Sequence, residues 1–138
     1  MSAVDPARTP RPVPGRPPPS KARLREHTPR PGVTVLEVIG EIDLVEADAI
    51  RIRMTELLHR THPERAVLDL SGVAFLGSHG LTAVVRASRA AGAAGVPLAG
   101  VTGPDNRAVI RPVRMTGLDR VITWFPDLSS ALDPGPRV

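Results

Sequence analysis

Ser78 stands out among the residues that could do chemistry. It lies between a short apolar run, residues 66–70, and an amphipathic stretch that begins near Gly80. A serine at such a junction sits at or just before a helix N-terminus, where free amides and the positive end of the helix dipole converge. Two readings fit. Ser78 can cap the helix, or it can accept a phosphate, placing about −1.5 to −2 charges where a helix end favours an anion. Nucleophilic catalysis fits poorly, because the nucleophile elbow needs Gly-x-Ser-x-Gly and Leu76 holds the first glycine position. His79 follows directly, but sequence adjacency does not aim its ring at the Ser78 hydroxyl, and no acid is poised to orient it. His79 reads as a first-turn residue facing solvent or a partner.

Other candidates are weaker. His59 and His62 are three apart, but Pro63 ends the helix there and two histidines make a poor metal site; they read as surface residues at a helix C-terminus. Asp69, in an apolar strand, reads as an acid that binds loop amides rather than as a catalytic carboxylate. Gly92, Gly95, Gly100 and Gly103 match no phosphate-binding fingerprint. With no cysteine, disulfides, thiolate metal sites and cysteine nucleophiles are excluded. No catalytic constellation, metal site or cofactor is expected.

The elements that must position Ser78 are legible from patterning. Residues 22–27 form a weakly alternating strand, residues 28–32 a turn, and residues 33–39 a β-branched strand ended by Gly40. Asp43 followed three residues later by Glu46 has capping-box spacing. Ala47, Ile50, Met54, Leu57 and Leu58 then mark one apolar helix face, running to about His59. Residues 66–70 read as a strand buried on both faces, and residues 75–80 as a loop. A second helix spans residues 80–94 and stops at Gly95. Its outer side carries Thr82, Ala83, Ala87 and Ala90 beside Arg86 and Arg89, small enough for a partner to approach closely and charged enough to pair with its acids. Residues 96–101 form another strand. A helix follows over residues 105–115, capped by Asp105, burying Val109, Ile110 and Val113, and kinked or shortened by Pro112. Residues 121–124 are a last strand and residues 128–132 a last helical turn. Alternation of this kind implies an α/β fold with a small, mostly parallel sheet, right-handed crossovers and helices packed against it.

Length and charge set the frame. The 138 residues allow one domain. The net charge of +4 raises the question of a polyanionic partner. Residues 1–31, however, hold seven basic and two acidic side chains and 9 of the 16 prolines, whereas residues 32–138 carry a net charge of −1. The basic character belongs to a disordered Pro/Arg-rich arm, residues 1–20, ahead of a near-neutral domain over residues 21–133 and a flexible tail, residues 134–138. Direct nucleic-acid binding is therefore not expected. Neither is a membrane span or a signal peptide, and a cytoplasmic protein is.

Residues 33–43, ending in Gly40-Glu41-Ile42-Asp43, together with Val67-Leu68-Asp69-Leu70-Ser71-Gly72-Val73-Ala74-Phe75-Leu76, resemble the STAS domain of stand-alone bacterial anti-sigma factor antagonists. Thr116-Gly117-Leu118 and Ala131-Leu132 also fit, and the resemblance covers about residues 22–133. It implies a single STAS-like domain of four to five strands. It also implies a regulatory protein that binds an anti-sigma factor/serine kinase, is switched by phosphorylation at Ser78, and is restored by a phosphatase; the nucleotide belongs to the kinase. Gly77, Ser78, His79, Gly80, Thr82, Arg86 and Arg89 are the expected partner-binding residues. The family loop usually reads Asp-Ser-Ser-Gly-Leu, and here it reads Gly77-Ser78-His79-Gly80-Leu81. The lost acid and lost second serine leave a second reading open, a STAS-like binding scaffold without phospho-control.

Overall fold

A computed structural model describes residues 21–133. The arm and tail expected at residues 1–20 and 134–138 lie outside the described residues. Ten elements follow one another: β1 (Ala22–Arg30), β2 (Val33–Ile42), α1 (Leu44–Thr61), β3 (Arg65–Leu76), α2 (Ser78–Ala93), β4 (Leu98–Val101), α3 (Arg107–Met115), a 3-10 turn (Leu118–Arg120), β5 (Thr123–Phe125) and α4 (Leu128–Leu132). The strands lie side by side in chain order. β1 is antiparallel to β2 across a tight Pro31-Gly32 turn, and all other pairs are parallel. Gly32 has φ +81°, the left-handed conformation that the third position of a type II turn requires.

Strand alternation sorts the core into two layers. Leu36, Val38, Leu68 and Leu70 point toward α1, α2 and α3, meeting Ile50, Met54, Leu57, Val84, Ala87, Val109 and Val113. Val33, Val35, Val67 and Val101 point the other way, where α4 covers them with Ala131. Arg65 ties that cover down, its guanidinium donating to the carbonyls of Ala131 and Leu132 at 3.2 and 3.1 Å.

Several boundaries differ from the sequence expectation. β2 does not end at Gly40, and the segment expected as a loop from Phe75 is strand as far as Leu76. β3 uses one residue more than β2 between Asp69 and Gly72, and again between Val73 and Phe75, so two bulges let it pair on to Ile42↔Leu76. The helix expected from Gly80 begins at Ser78, with Gly77 as its N-cap, which removes the reading of Ser78 as a cap. α3 starts at Arg107 with Asn106, not Asp105, at its N-cap position. Ala83 and Ala87, expected on the outer side of α2, are buried at 1% and 0% exposure, because α1 packs on that side. Ile110 is only half-buried.

The capping box at α1 is present as expected: the Asp43 amide donates to Glu46 Oε1 at 3.0 Å. Glu46 is itself buried, and its other oxygen accepts from the Lys21 amide at 3.0 Å. β1 is fastened to α1 at a second point, where Glu26 accepts from Arg53 (3.0 Å) and Arg60 (2.5 Å). Burial pushes the Glu26 carboxyl up, but the hydrogen bonds from the two arginines, and then their charges, outweigh it and hold the pKa below its ordinary value. A lowered pKa means stability that is whole above the ordinary glutamate range and lost as pH falls through it toward the folded value. Urea unfolding at pH 7 and pH 3 is expected to show a smaller acid loss for Glu26→Gln than for the wild type. Equal losses would show that this carboxylate is not coupled to folding.

Candidate functional site

The parallel strands β2 and β3 end at one edge of the sheet, and each feeds a helix whose N-terminus opens there. Gly77 is extended (φ −93°, ψ −165°), and Ser78 is the first residue of the 16-residue helix α2. Ser78 and His79 are exposed. Among the described residues the Ser78 hydroxyl makes no hydrogen bond, while its carbonyl accepts from the Thr82 hydroxyl at 3.0 Å. An exposed, unengaged hydroxyl beside free helix amides can accept a phosphate and have it stabilised in place.

An acid, Asp43, stands at the N-cap of α1, the neighbouring helix. Asp43, at the cap of α1, accepts from the Leu44 amide at 2.9 Å and from Lys21 Nζ at 3.4 Å. The Leu44 amide first, then the Lys21 hydrogen bond, against a burial penalty, and finally the charges of Lys21 and His79 hold its carboxyl below the usual aspartate range.

Between α1 and α2 runs a groove of about 420 Å3, lined by Leu44, Val45, Ala47, Asp48, His79, Thr82, Ala83 and Arg86. The fold therefore brings His79, Thr82 and Arg86 together beside Ser78. Arg89 is exposed but lies beyond the groove lining. Gly80 faces inward: it is buried, and an added Cβ would lie 2.4 Å from Leu76 Cδ1. Its place is in the close packing of α2 on β3. Gly77 is covered by the Phe75 ring, 2.9 Å from where a Cβ would stand. Leu44 and Val45, 63% and 42% exposed, were not among the expected site residues. Their signal was two apolar residues in a first helical turn, off the Ile50–Met54 stripe.

Asn106 was also not anticipated. Its side-chain amide donates to the carbonyls of Leu70 (3.3 Å), Ser71 (3.2 Å) and Val73 (2.9 Å). β3 pairs with β4 only as far as Asp69↔Val101, and past that point, across the first β3 bulge, Asn106 supplies the donor and holds the segment that leads to Ser78. Asp69 closes the same bulge, accepting from the Ser71 amide at 3.0 Å, the loop-amide role expected of it. Asn106→Ala is expected to cost about 1–3 kcal/mol, since it strips three carbonyls of a donor. Hydrogen exchange should quicken over residues 71–75 before it does elsewhere; uniform quickening would disprove the local latch. His59 and His62 are exposed at the end of α1, with His62 in a left-handed C-cap conformation. Among the described residues no group of three potential metal ligands occurs, and no helix is long and apolar enough to cross a membrane.

This arrangement, a mixed five-stranded sheet with a serine opening the helix after its central strand, is that of the STAS domain, whose family model matches residues 26–131. The chain belongs to the STAS domain family, among the anti-sigma factor antagonists, which are non-enzymatic regulators of transcription. It is 37% identical to the anti-sigma-F factor antagonist RsfB of Mycobacterium tuberculosis over 101 residues, 73% of this chain and 80% of that protein. An anti-sigma factor antagonist from Mycobacterium paratuberculosis has a similar crystal structure, with TM-score 0.71 and 32% identity over 80% of this chain and 91% of the other. Unphosphorylated SpoIIAA shares the fold, with TM-score 0.67 at 15% identity, over 81% of this chain and 95% of that one.

Proposed function

We propose that this protein binds an anti-sigma factor of serine-kinase type through the Ser78 edge and the α1–α2 groove, and that phosphorylation of Ser78 releases it. The observation that carries this reading is the exposed, unengaged Ser78 hydroxyl at the first position of α2, beside a groove with apolar walls at Leu44 and Val45 and charged rims at Asp48 and Arg86. Family membership supports the partner class, and RsfB, as its name says, antagonises an anti-sigma-F factor. Gly77, Ser78, His79, Thr82, Arg86 and Arg89 are the proposed contact residues, with Gly80 setting the seat of the helix. A phosphatase would restore the binding form, and the protein would work in the cytoplasm.

Phosphate on Ser78 is tolerated by the helix itself, because its amides face the new charge. The partner sees the opposite effect: bulk and charge at a desolvating interface cost about 2–5 kcal/mol, roughly a thirty- to several-thousand-fold loss of affinity. The test is incubation with the kinase and ATP, mapping by mass spectrometry, and titration of the wild type and Ser78→Asp against the same kinase. Phosphate is expected on Ser78, with a loss of affinity of that order in the variant. An unmodified Ser78 with equal binding by both forms would sink the switch. That outcome would favour the second reading, a binding scaffold without phospho-control, motivated by Gly77 under the Phe75 ring where the family has an acid.

A further inference from the structure

Phe75 is the second-last residue of β3, and none of the contacts proposed above uses it. Its register partner is Glu41, while the next pair, Ile42 and Leu76, is buried in the core on the helix side. Strand alternation therefore turns the Phe75 ring away from α1 and α2, onto the opposite face of the sheet. There α4 covers the layer of Val33, Val35, Val67 and Val101, which does not include Phe75. The ring is 56% exposed. Single exposed apolar side chains are ordinary, but this one has company. Of the six large apolar side chains exposed among the described residues, Leu44, Val45 and Phe75 all stand where β2 and β3 end and Ser78 opens α2.

The ring rests on Gly77. A Cβ there would stand 2.9 Å from both Cε2 and Cζ of Phe75. Gly77 has φ −93° and ψ −165°, extended backbone that any L-residue adopts, so its conformation does not require glycine. The ring does: a side chain at position 77 and Phe75 in this place exclude each other. The obstacle is the tip of one exposed side chain, so a Cβ at 77 swings the ring aside and leaves the fold intact. A ring already placed next to Ser78 costs less entropy to bury under a partner. Aromatic side chains that fill a partner's pocket carry a disproportionate share of the binding energy at an interface.

We infer that Phe75, seated on Gly77, is an aromatic anchor of the Ser78 edge, and that the pair selects a partner offering an apolar pocket rather than a cation to this side of the serine. The inference rests on the reading of that edge as the partner-binding surface. The STAS loop usually has an acid at position 77, and here the ring covers the place that its side chain would take. A partner built to pair with that carboxylate finds no charge. A partner built for the ring would have to bury an acid at 77 unpaired, which is costly. Gly77 is thus a positioning residue that acts through the ring.

The test titrates full-chain variants against the serine-kinase anti-sigma factor used for Ser78→Asp, with urea unfolding beside each titration. Phe75→Ala is expected to lose affinity about thirtyfold or more, with little change in midpoint, since the ring is more than half exposed. Gly77→Ala should lose most of that. Phe75→Ala/Gly77→Ala should lose no more than Phe75→Ala alone, because both changes act on one ring. Gly77→Asp should bind as weakly as Phe75→Ala while its midpoint holds or rises, aspartate being a favoured N-cap. With 4-fluorophenylalanine at Phe75 and Phe125, the Phe75 resonance should shift in Gly77→Ala and that of Phe125 should stay. Wild-type affinity in Phe75→Ala, or a fall in its midpoint that accounts for the lost affinity, would overturn the anchor. Additive losses in the double variant, or an unmoved Phe75 resonance, would overturn the seat on Gly77. Tight binding by Gly77→Asp would overturn the selection. Release by Ser78→Asp with no effect of Phe75→Ala leaves the switch standing without the anchor, and the reverse pattern keeps the anchor and sinks the switch. A wild type that does not bind the kinase overturns both.

Discussion

Replacing Gly40 by alanine is expected to destabilise the domain by about 3 kcal/mol or more, combining backbone strain with the loss of neighbouring hydrogen bonds. Gly40 has φ +114°, a conformation L-residues rarely adopt. A Cβ there would also stand 2.4 Å from the Lys21 carbonyl oxygen and 3.1 Å from Ala22 Cα. Both obstacles are backbone, so no side-chain rotation relieves them. The start of β1 would have to move, and the bonds from Glu41 to Lys21, from Lys21 to Glu46 and from Lys21 to Asp43 would go with it. Urea unfolding measures the cost. A loss below about 1 kcal/mol would mean that the Lys21 anchor carries little of the stability.

Leu68→Ala is expected to cost about 2–5 kcal/mol. Leu68 is fully buried in β3, a central strand paired on both sides, and packs into the layer formed with α1, α2 and α3. The spread reflects how far the helices can close on the cavity. For a domain whose total stability is of the order of 5–15 kcal/mol, this is a large share. The site should be intact in the molecules that remain folded, since Leu68 is fully buried and none of the proposed contact residues belongs to its core cluster. Affinity per folded molecule is therefore expected to hold while the urea midpoint drops. A fall in affinity without a fall in midpoint would place Leu68 in the recognition surface, against its burial.

Local signals were read correctly because their physics is local. Asp43 and Glu46 cap α1 as their spacing requires, since the bonds span three residues of one chain segment. The Ile50–Met54–Leu57 stripe faces the core because helical period alone puts those residues on one side. Gly40 misled for the opposite reason. It looks like a strand end, yet it pairs in the ladder, because the bulged partner strand continues beside it. Ala83 and Ala87 look like an approachable outer face until α1 is laid against them.

The residues themselves determined the helix–strand alternation, the family resemblance and Ser78 as the position of interest, because patterning, capping and motif spacing are properties of short stretches. Tertiary structure alone decided what surrounds Ser78. It placed Leu44 and Val45 across from His79, Thr82 and Arg86, turned Gly80 inward, and set Asn106 on the β3 bulge. It also used Glu46 to fix Lys21 at the same sheet edge. Apart from the contact of Gly80 with Leu76, these join residues 25 or more positions apart, and such pairings depend on the sheet bringing successive strand ends to one edge. No window of sequence contains that geometry.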